Sequence, residues 1–74
     1  MYTHIVMDRR GDTRHDFEPT SPAALAQAEQ RFLQLTGKGF RAVALGKDGA
    51  PDLLLREFDP AVERTLFIPQ LQGG

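Results

Sequence analysis

The sequence predicts an α+β domain in which one main helix packs across one face of a mixed sheet of about five strands. Three observations favour this class. A run of strong helix formers lies in the middle of the chain, with a pair of extended, β-rich segments on each side. Glycine, aspartate and proline separate the members of each pair, as in hairpin turns. A final segment is almost continuously apolar, which is typical of a strand in the centre of a sheet.

Size and composition narrow the range of functions. The chain has 74 residues, 9 Lys and Arg against 10 Asp and Glu, a net charge of −1 and no cysteine. So short a chain forms one small domain, which disfavours a stand-alone enzyme, and we expect no catalytic residue and no cofactor of its own. The charge balance argues against nucleic acid or an anionic membrane as the main partner. The missing cysteines exclude disulfides, thiolate zinc sites and a cysteine nucleophile.

The apolar segments of the sequence indicate which cellular compartment to expect. No run approaches the roughly 18–20 apolar residues that span a membrane. Residues Met1 to Arg10 mix His, Asp and Arg among their apolar positions, unlike a signal peptide. We therefore expect a soluble, cytoplasmic single domain that works by being bound.

The first half of the chain reads as a hairpin followed by the helix. Residues 2–7 predict a strand, a turn follows at Gly11, and the polar segment 13–17 predicts a returning strand near a sheet edge. Ser21 is a suitable N-cap for a helix that begins at Pro22 and continues to Thr36. One apolar stripe follows this helix, made of Leu25, Ala28, Phe32 and Leu35. Gly37 is the expected left-handed residue after the helix.

The second half predicts another hairpin and a last strand. Residues 40–45 and 52–58 read as its two strands, although a helix also fits the periodicity of the second. Residues 59–64 predict a single helical turn, because an aspartate cap precedes a proline. The apolar run 65–68 is the last strand. We expect it to insert between the two hairpins, where both of its faces would be covered.

The end of the chain carries the most specific signal. After the last strand, regular pairing should weaken at Pro69, and the chain continues as an extended end through Gln70, Leu71 and Gln72 into Gly73-Gly74. Together with the predicted strand order (ββαββ and the last strand) and the length, this ending resembles the ubiquitin-like β-grasp proteins. The tail is similar to those of bacterial sulfur carriers, such as the small subunit of molybdopterin synthase. It resembles even more the ubiquitin-like proteins of bacterial operons that also encode an activating enzyme, a conjugating enzyme and a deconjugating metalloprotease.

This resemblance implies a β-grasp domain over residues 1–71 and a flexible tail over residues 72–74. It also implies a bacterial protein modifier that is a monomer when free. An activating enzyme would use ATP to adenylate the carboxylate of Gly74, and a conjugating enzyme would carry the resulting thioester to target proteins. Gly73 would pass through narrow active sites, because it has no side chain, and Gln72 and Leu71 would be read at their entrances. Ubiquitin has basic residues before its glycines, whereas this chain has Gln70, Leu71 and Gln72. This difference implies a dedicated activating enzyme.

Two alternatives to the modifier remain. A sulfur carrier shares the adenylation step but ends as a thiocarboxylate that donates sulfur. A non-covalent adaptor would use the surface of its sheet, and its Gly-Gly would be dispensable. Leu45, Leu53 and Leu55 are candidates for such a partner surface, since exposed apolar clusters usually mark interfaces, although each of them could instead belong to the core.

Two sets of polar residues complete the candidates. Lys38 and Lys47 are the lysines that could accept further copies in a chain of modifiers. His4 and His15 could face each other across the first hairpin, near several aspartates, and form a weak metal site. The more common explanation is two exposed polar strand positions, and we expect no metal. We interpret the basic cluster of Arg9, Arg10 and Arg14 as the solvated tip of a hairpin, with a docking contact as the second interpretation.

Overall fold

The computed structural model describes residues 1–46, 48 and 51–69, and for residues 51 and 52 it describes the backbone alone. The elements are β1 (Tyr2–Asp8), β2 (Gly11–Phe17), α1 (Pro22–Gly37), β3 (Phe40–Leu45), β4 (Pro51–Leu55) and β5 (Arg64–Pro69). The predicted α+β class, with one helix and a mixed sheet of five strands, is confirmed. The arrangement is compatible with a β-grasp-like fold. In the described part of the chain, no helix is both long enough and apolar enough to cross a membrane.

The strand order in the sheet is β2-β1-β5-β3-β4. β5 runs parallel to β1 and antiparallel to β3, so the last strand lies between the two hairpins, as its apolar run predicts. Each hairpin supplies one inner and one edge strand. The central position suits β5 because its backbone is paired on both sides and its Phe67 is fully buried.

The helix begins as predicted and ends later. The hydroxyl of Ser21 accepts a hydrogen bond of 3.3 Å from the backbone N–H three residues on, and Pro22 occupies the first turn. The expectation of a left-handed residue at Gly37 is wrong, because Gly37 is still helical. Lys38 stays in the right-handed region, and Gly39 takes the positive φ of 100°. Two glycines near the helix end can each take this role, and local sequence does not choose between them.

The segment between β4 and β5 differs from its prediction. β4 spans Pro51–Leu55, so the predicted strand 52–58 begins one residue late and continues three residues too far. The single helical turn expected next is a hydrogen-bonded turn, in which the N–H of Val62 donates to the carbonyl of Asp59 at 3.2 Å. The carboxylate of Asp59 also accepts from the N–H of Ala61 at 2.9 Å. An aspartate that binds nearby N–H groups stabilises a turn, and so short a segment has too few hydrogen bonds to propagate a helix.

The core lies between α1 and one face of the sheet. Phe32 from the helix meets Phe67 from β5 edge-to-face, with ring centroids 5.8 Å apart. Ala28 and Ala42 are also fully buried, and such small side chains let the helix approach the sheet closely. The half-buried side chains packed around this centre are Val6, Leu35, Phe40, Leu55 and Phe58. The predicted helix stripe is confirmed, with Ala28 and Phe32 buried and its two leucines half-buried.

Candidate functional site

The pairing of four adjacent strands places two apolar rows on opposite faces of the sheet. Alternate residues of a strand point to opposite faces, so the rows are offset by one residue on every strand. The helix-face row consists of Val6, Phe67, Ala42 and Leu55, which are direct neighbours across β1, β5, β3 and β4. The open-face row consists of Ile5, Leu66, Val43 and Leu54, which are neighbours across the same strands.

The open-face row is accessible to a partner. Its three inner members are half-buried by their neighbours, whereas Leu54, at the β4 end, is 48% exposed. Met7 and Ile68 extend the apolar area toward one end of the sheet and are also exposed. The helix of the described residues covers the other face. A contiguous apolar surface on a small domain usually marks a site of interaction.

Charged residues border the open-face row. Arg14 on β2 is the direct partner of Ile5 and is exposed. Arg41 on β3 is the direct partner of Ile68 and is also exposed. An apolar centre with a charged rim is the ordinary anatomy of a protein-binding surface. Of the predicted basic cluster, Arg14 therefore belongs to this face, and Arg9 and Arg10 lie exposed in the turn between β1 and β2.

The three leucines predicted as a partner surface lie on the adjacent strands β3 and β4 and differ in exposure. Leu53 and Leu55 share the helix side of β4, where Leu55 packs against the buried core. Leu53 is 62% exposed, and Leu45 is half-buried at the end of β3, where the pairing with β4 shifts register. The residue that joins the open-face row is Leu54, which sequence reasoning missed. The alternation of side chains along β4 was visible in the sequence, but nothing local indicates which alternate set of residues faces the helix.

The predicted conjugation residues are at the C-terminus. Gly74, Gly73, Gln72, Leu71 and the candidate acceptor Lys47 lie outside the described residues. β5, the central strand, ends at Pro69, five positions before Gly74. The other candidate acceptor, Lys38, is exposed directly after α1. Its ammonium group is therefore accessible, as acylation would require.

The sequence suggested that His4 occupies an exposed polar position, but the side chain is buried. It is 3% exposed, and its ring lies edge-on to Phe17 and Phe67, with centroids 5.0 Å away in each case. Phe58 closes a third side at 6.3 Å. The imidazole Nδ1 lies 3.4 Å from Nη1 of Arg31 on the helix. A guanidinium can only donate, so Nδ1 accepts and the ring proton sits on Nε2.

The environment of both histidines favours the neutral imidazole, because it lowers the pKa of each ring. Burial first, and then Arg31 and His15, lower the pKa of His4 from 6.5 to about 4. His15 is the direct strand partner of His4, and burial and Arg31 lower its pKa as well. The two histidines lie on the same face of the hairpin, whereas Asp12 and Asp16 alternate onto the opposite face. Among the described residues, no group of three or more His, Cys, Asp or Glu side chains is placed to hold a metal ion.

Two features remain as candidates for function. One is the open-face row with its charged rim, and the other is the central strand that leads to Gly73-Gly74. His4 packs among the buried rings instead, and His15 is half-buried beside it on β2. Comparison of this chain with protein-family models, with curated proteins and with solved structures finds no match.

Proposed function

We propose that this chain is a ubiquitin-like protein modifier that is attached to its targets through the carboxylate of Gly74. The observation that supports this most is the sheet order β2-β1-β5-β3-β4, with one helix across one face and β1 parallel to β5. That is the arrangement expected of a ubiquitin-like β-grasp domain. In such a domain the last strand is central and leads directly toward the terminal glycines, which here follow Pro69 within five residues.

The attachment chemistry needs one reactive group from this chain. An oxygen of the Gly74 carboxylate attacks the α-phosphorus of ATP in the activating enzyme, and pyrophosphate leaves. A thiolate of the conjugating enzyme then displaces AMP and forms a thioester. An amine or hydroxyl of the target displaces that thiolate and forms an amide or an ester. The proposal requires a free carboxylate on Gly74, whether at the encoded end or after cleavage.

The folded domain would supply recognition. Gly73 and Gly74 offer bare backbone to narrow active sites, with Gln72 and Leu71 at their entrances. The open-face row offers a surface that enzymes and readers of the modification could bind. Apolar contact at its centre would supply affinity, and the charges of Arg14 and Arg41 would select the partner.

The deciding experiment compares the N-terminally tagged protein in its own host with the same protein lacking Gly74. Adducts that survive denaturing gels and disappear without Gly74 would support the modifier, and their intact masses would identify the targets. A monomer in which one terminal oxygen is replaced by sulfur, with no adducts, would instead identify a sulfur carrier. If neither appears while the neighbouring genes are expressed, both proposals that depend on the tail are wrong.

A non-covalent adaptor is the second candidate, and the open-face row favours it because that surface does not depend on the tail. Partners captured by the native protein identify this function if deletion of residues 72–74 leaves them bound. Val43→Asp, in the middle of the row, should then release them. Circular dichroism of this variant separates loss of binding from loss of fold.

A further inference from the structure

A shallow apolar groove lies between the first two turns of α1 and the turn that follows β4. Its helix wall is one stripe, because its members are spaced along α1 as neighbours on one side of a helix. The residues that line the groove are Pro22, Leu25, Ala26, Glu29, Phe58 and Pro60. Its volume of about 440 Å³ is in the usual size range of binding clefts. It lies on the helix side of the sheet, opposite the open-face row.

Both walls of the groove are held in place by the fold. Ser21 caps the start of the helix wall through its hydrogen bond of 3.3 Å. On the other wall, the ring of Phe58 packs edge-on against Phe32 of the core, with centroids 6.0 Å apart. The turn beyond it is fixed by Asp59, which accepts hydrogen bonds from two of its N–H groups. A partner therefore meets a preformed groove and loses less affinity to ordering it.

The charge that borders this groove is negative. Glu29 is the charged residue of its lining. Glu57 and Asp59 flank Phe58 in the chain, and all three acidic side chains are exposed. Within the described residues, no ion pair neutralises these carboxylates. Arg31, the base of α1, lies on the other side of the helix, with its guanidinium directed toward the buried imidazole on β1. An apolar surface with this border is complementary to an apolar segment that carries positive charge.

A second depression extends the groove along β4. It is lined by residues 53–60, so it shares two residues with the groove, and its volume is about 510 Å³. Leu53, which is 62% exposed, gives it a large apolar side chain on the edge strand of the sheet. Its lining contains one base, Arg56, and the two acids that flank the aromatic wall. One segment of a partner can therefore lie across both depressions and place an apolar side chain in each.

We propose that this groove binds a segment of a partner protein in which a lysine or arginine lies between two large apolar residues. The apolar side chains occupy the two depressions, and the cation pairs with a carboxylate at their border. Exposed charge pairs of this kind add little affinity, but like charges would exclude an acidic segment. The groove is separate from the open-face row, and the proposal does not depend on the chemistry of Gly74.

Two synthetic peptides test the chemistry of the occupant. The probe is Gly-Leu-Lys-Leu-Arg-Leu-Gly, blocked at both ends, and the control has Glu at both basic positions. Amide NMR shifts of the isotope-labelled chain show where each peptide binds. We expect the probe to shift Leu25, Ala26 and Phe58, with a Kd on the order of 0.1–1 mM that rises with salt. The control should bind at least about tenfold more weakly.

Three results of this titration would overturn the proposal. The first is the absence of shifts with about 5 mM probe, which is well above the expected Kd. The second is equal binding of both peptides, or shifts centred on the open-face row. The third is a set of groove signals that change with the concentration of the chain itself, because the groove would then be occupied by a second copy.

Variants along the helix test the position of the site. Ala26→Arg fills the groove and repels the probe, so we expect binding at least about tenfold weaker. Gln30→Arg adds the same side chain at an exposed position outside the lining and should change the Kd by less than about twofold. Glu29→Gln keeps the size of the side chain but removes its charge, and should weaken binding about two- to fivefold. Circular dichroism verifies that each variant is folded. Native affinity in Ala26→Arg, or an equal loss in Gln30→Arg, would place the site elsewhere and refute the proposal.

Discussion

The two apolar rows of the sheet consist of similar side chains, but α1 covers only the helix-face row. Each row crosses the same four strands in the same register, one residue apart. In the helix-face row, Phe67 and Ala42 are almost completely buried under α1. In the open-face row, no member reaches that burial, and Leu54 is half exposed. One face therefore supplies stability, while the apolar surface of the other remains available for binding.

The difference shows that hydrophobicity alone does not define a core. The open-face row has four large aliphatic side chains, whereas the helix-face row includes an alanine. The smaller residue is the more deeply buried one, because a small side chain admits the helix. The four predictions that follow test this contrast, beginning with the largest expected effect.

Truncation in the middle of each row should separate the two faces most clearly. Phe67→Ala removes a fully buried ring, and we expect it to lower the free energy of unfolding by about 3–5 kcal/mol. That is close to the whole stability of a small domain. Leu66→Ala, one residue away on the open face, should lower it by less than half as much. Urea denaturation of both variants gives the comparison, and equal losses would contradict the assignment of the faces.

Acid should destabilise the helix face through His4. The pKa of His4 is about 4 in the folded chain and 6.5 as the ordinary value, so only the unfolded chain takes up this proton as the pH falls between those values. Stability is therefore unaffected by His4 above pH 6.5 and should fall by roughly 3 kcal/mol toward pH 4. Arg31 and His15 face this ring, and both disfavour its charged form.

His4→Gln is the matched control for acid destabilisation. It does not titrate but still offers an acceptor to Arg31, and its unfolding free energy should depend less on pH in this window. Chemical denaturation at a series of pH values measures both proteins. The same slope in the variant would mean that other groups cause the loss.

Adjacent leucines of β4 provide a smaller contrast on a single strand. Leu55→Lys puts a charge against the core, and we expect a loss of about 2–3 kcal/mol in the free energy of unfolding. Leu54→Lys should cost less than about 1 kcal/mol, because the introduced ammonium group stays in water. Thermal unfolding of both variants measures the contrast, and equal losses would contradict the assignment of Leu55 to the core.

The smallest effect should come from the start of the helix that covers one face. Ser21→Ala removes the acceptor for an N–H of the first turn, and we expect a loss of about 1 kcal/mol. Amide hydrogen exchange should accelerate in the first turn of α1 more than in β5. Ser21→Asp, which retains an acceptor, should restore most of the stability. If Ser21→Asp loses as much stability as Ser21→Ala, capping is not the cause of the loss.

Local signals predicted some elements of the fold and left others open. Ser21 and Pro22 marked the start of the helix because their capping role depends only on neighbouring backbone groups. The end of the helix was less certain, since Gly37 and Gly39 can both adopt the left-handed conformation. The turn at Asp59 was misread as helical because its carboxylate serves equally well as a helix cap and as a turn acceptor.

For the candidate site, the tail and the sheet differ in what could be foreseen. Gly73-Gly74 is a local motif and needs no tertiary context to be noticed, and its role stays a prediction. The open-face row was not foreseen, because Ile5, Val43 and Leu66 become neighbours through pairings between strands far apart in the chain. The prediction that His4 is exposed was wrong for a related reason. The alternation of side chains along β1 is visible in the sequence, but the sequence does not show which alternate set is buried.

The sequence by itself determined the five strands and the main helix, the start of that helix and the central place of the last strand. These follow from propensity, capping and hydrophobic periodicity, which act between residues close together in the chain. Tertiary structure alone decided which face of each strand the helix covers, and so made Phe67 core and left Leu54 exposed. The physical reason is that two apolar faces compete for one helix, and the choice is settled by packing across all the strands at once.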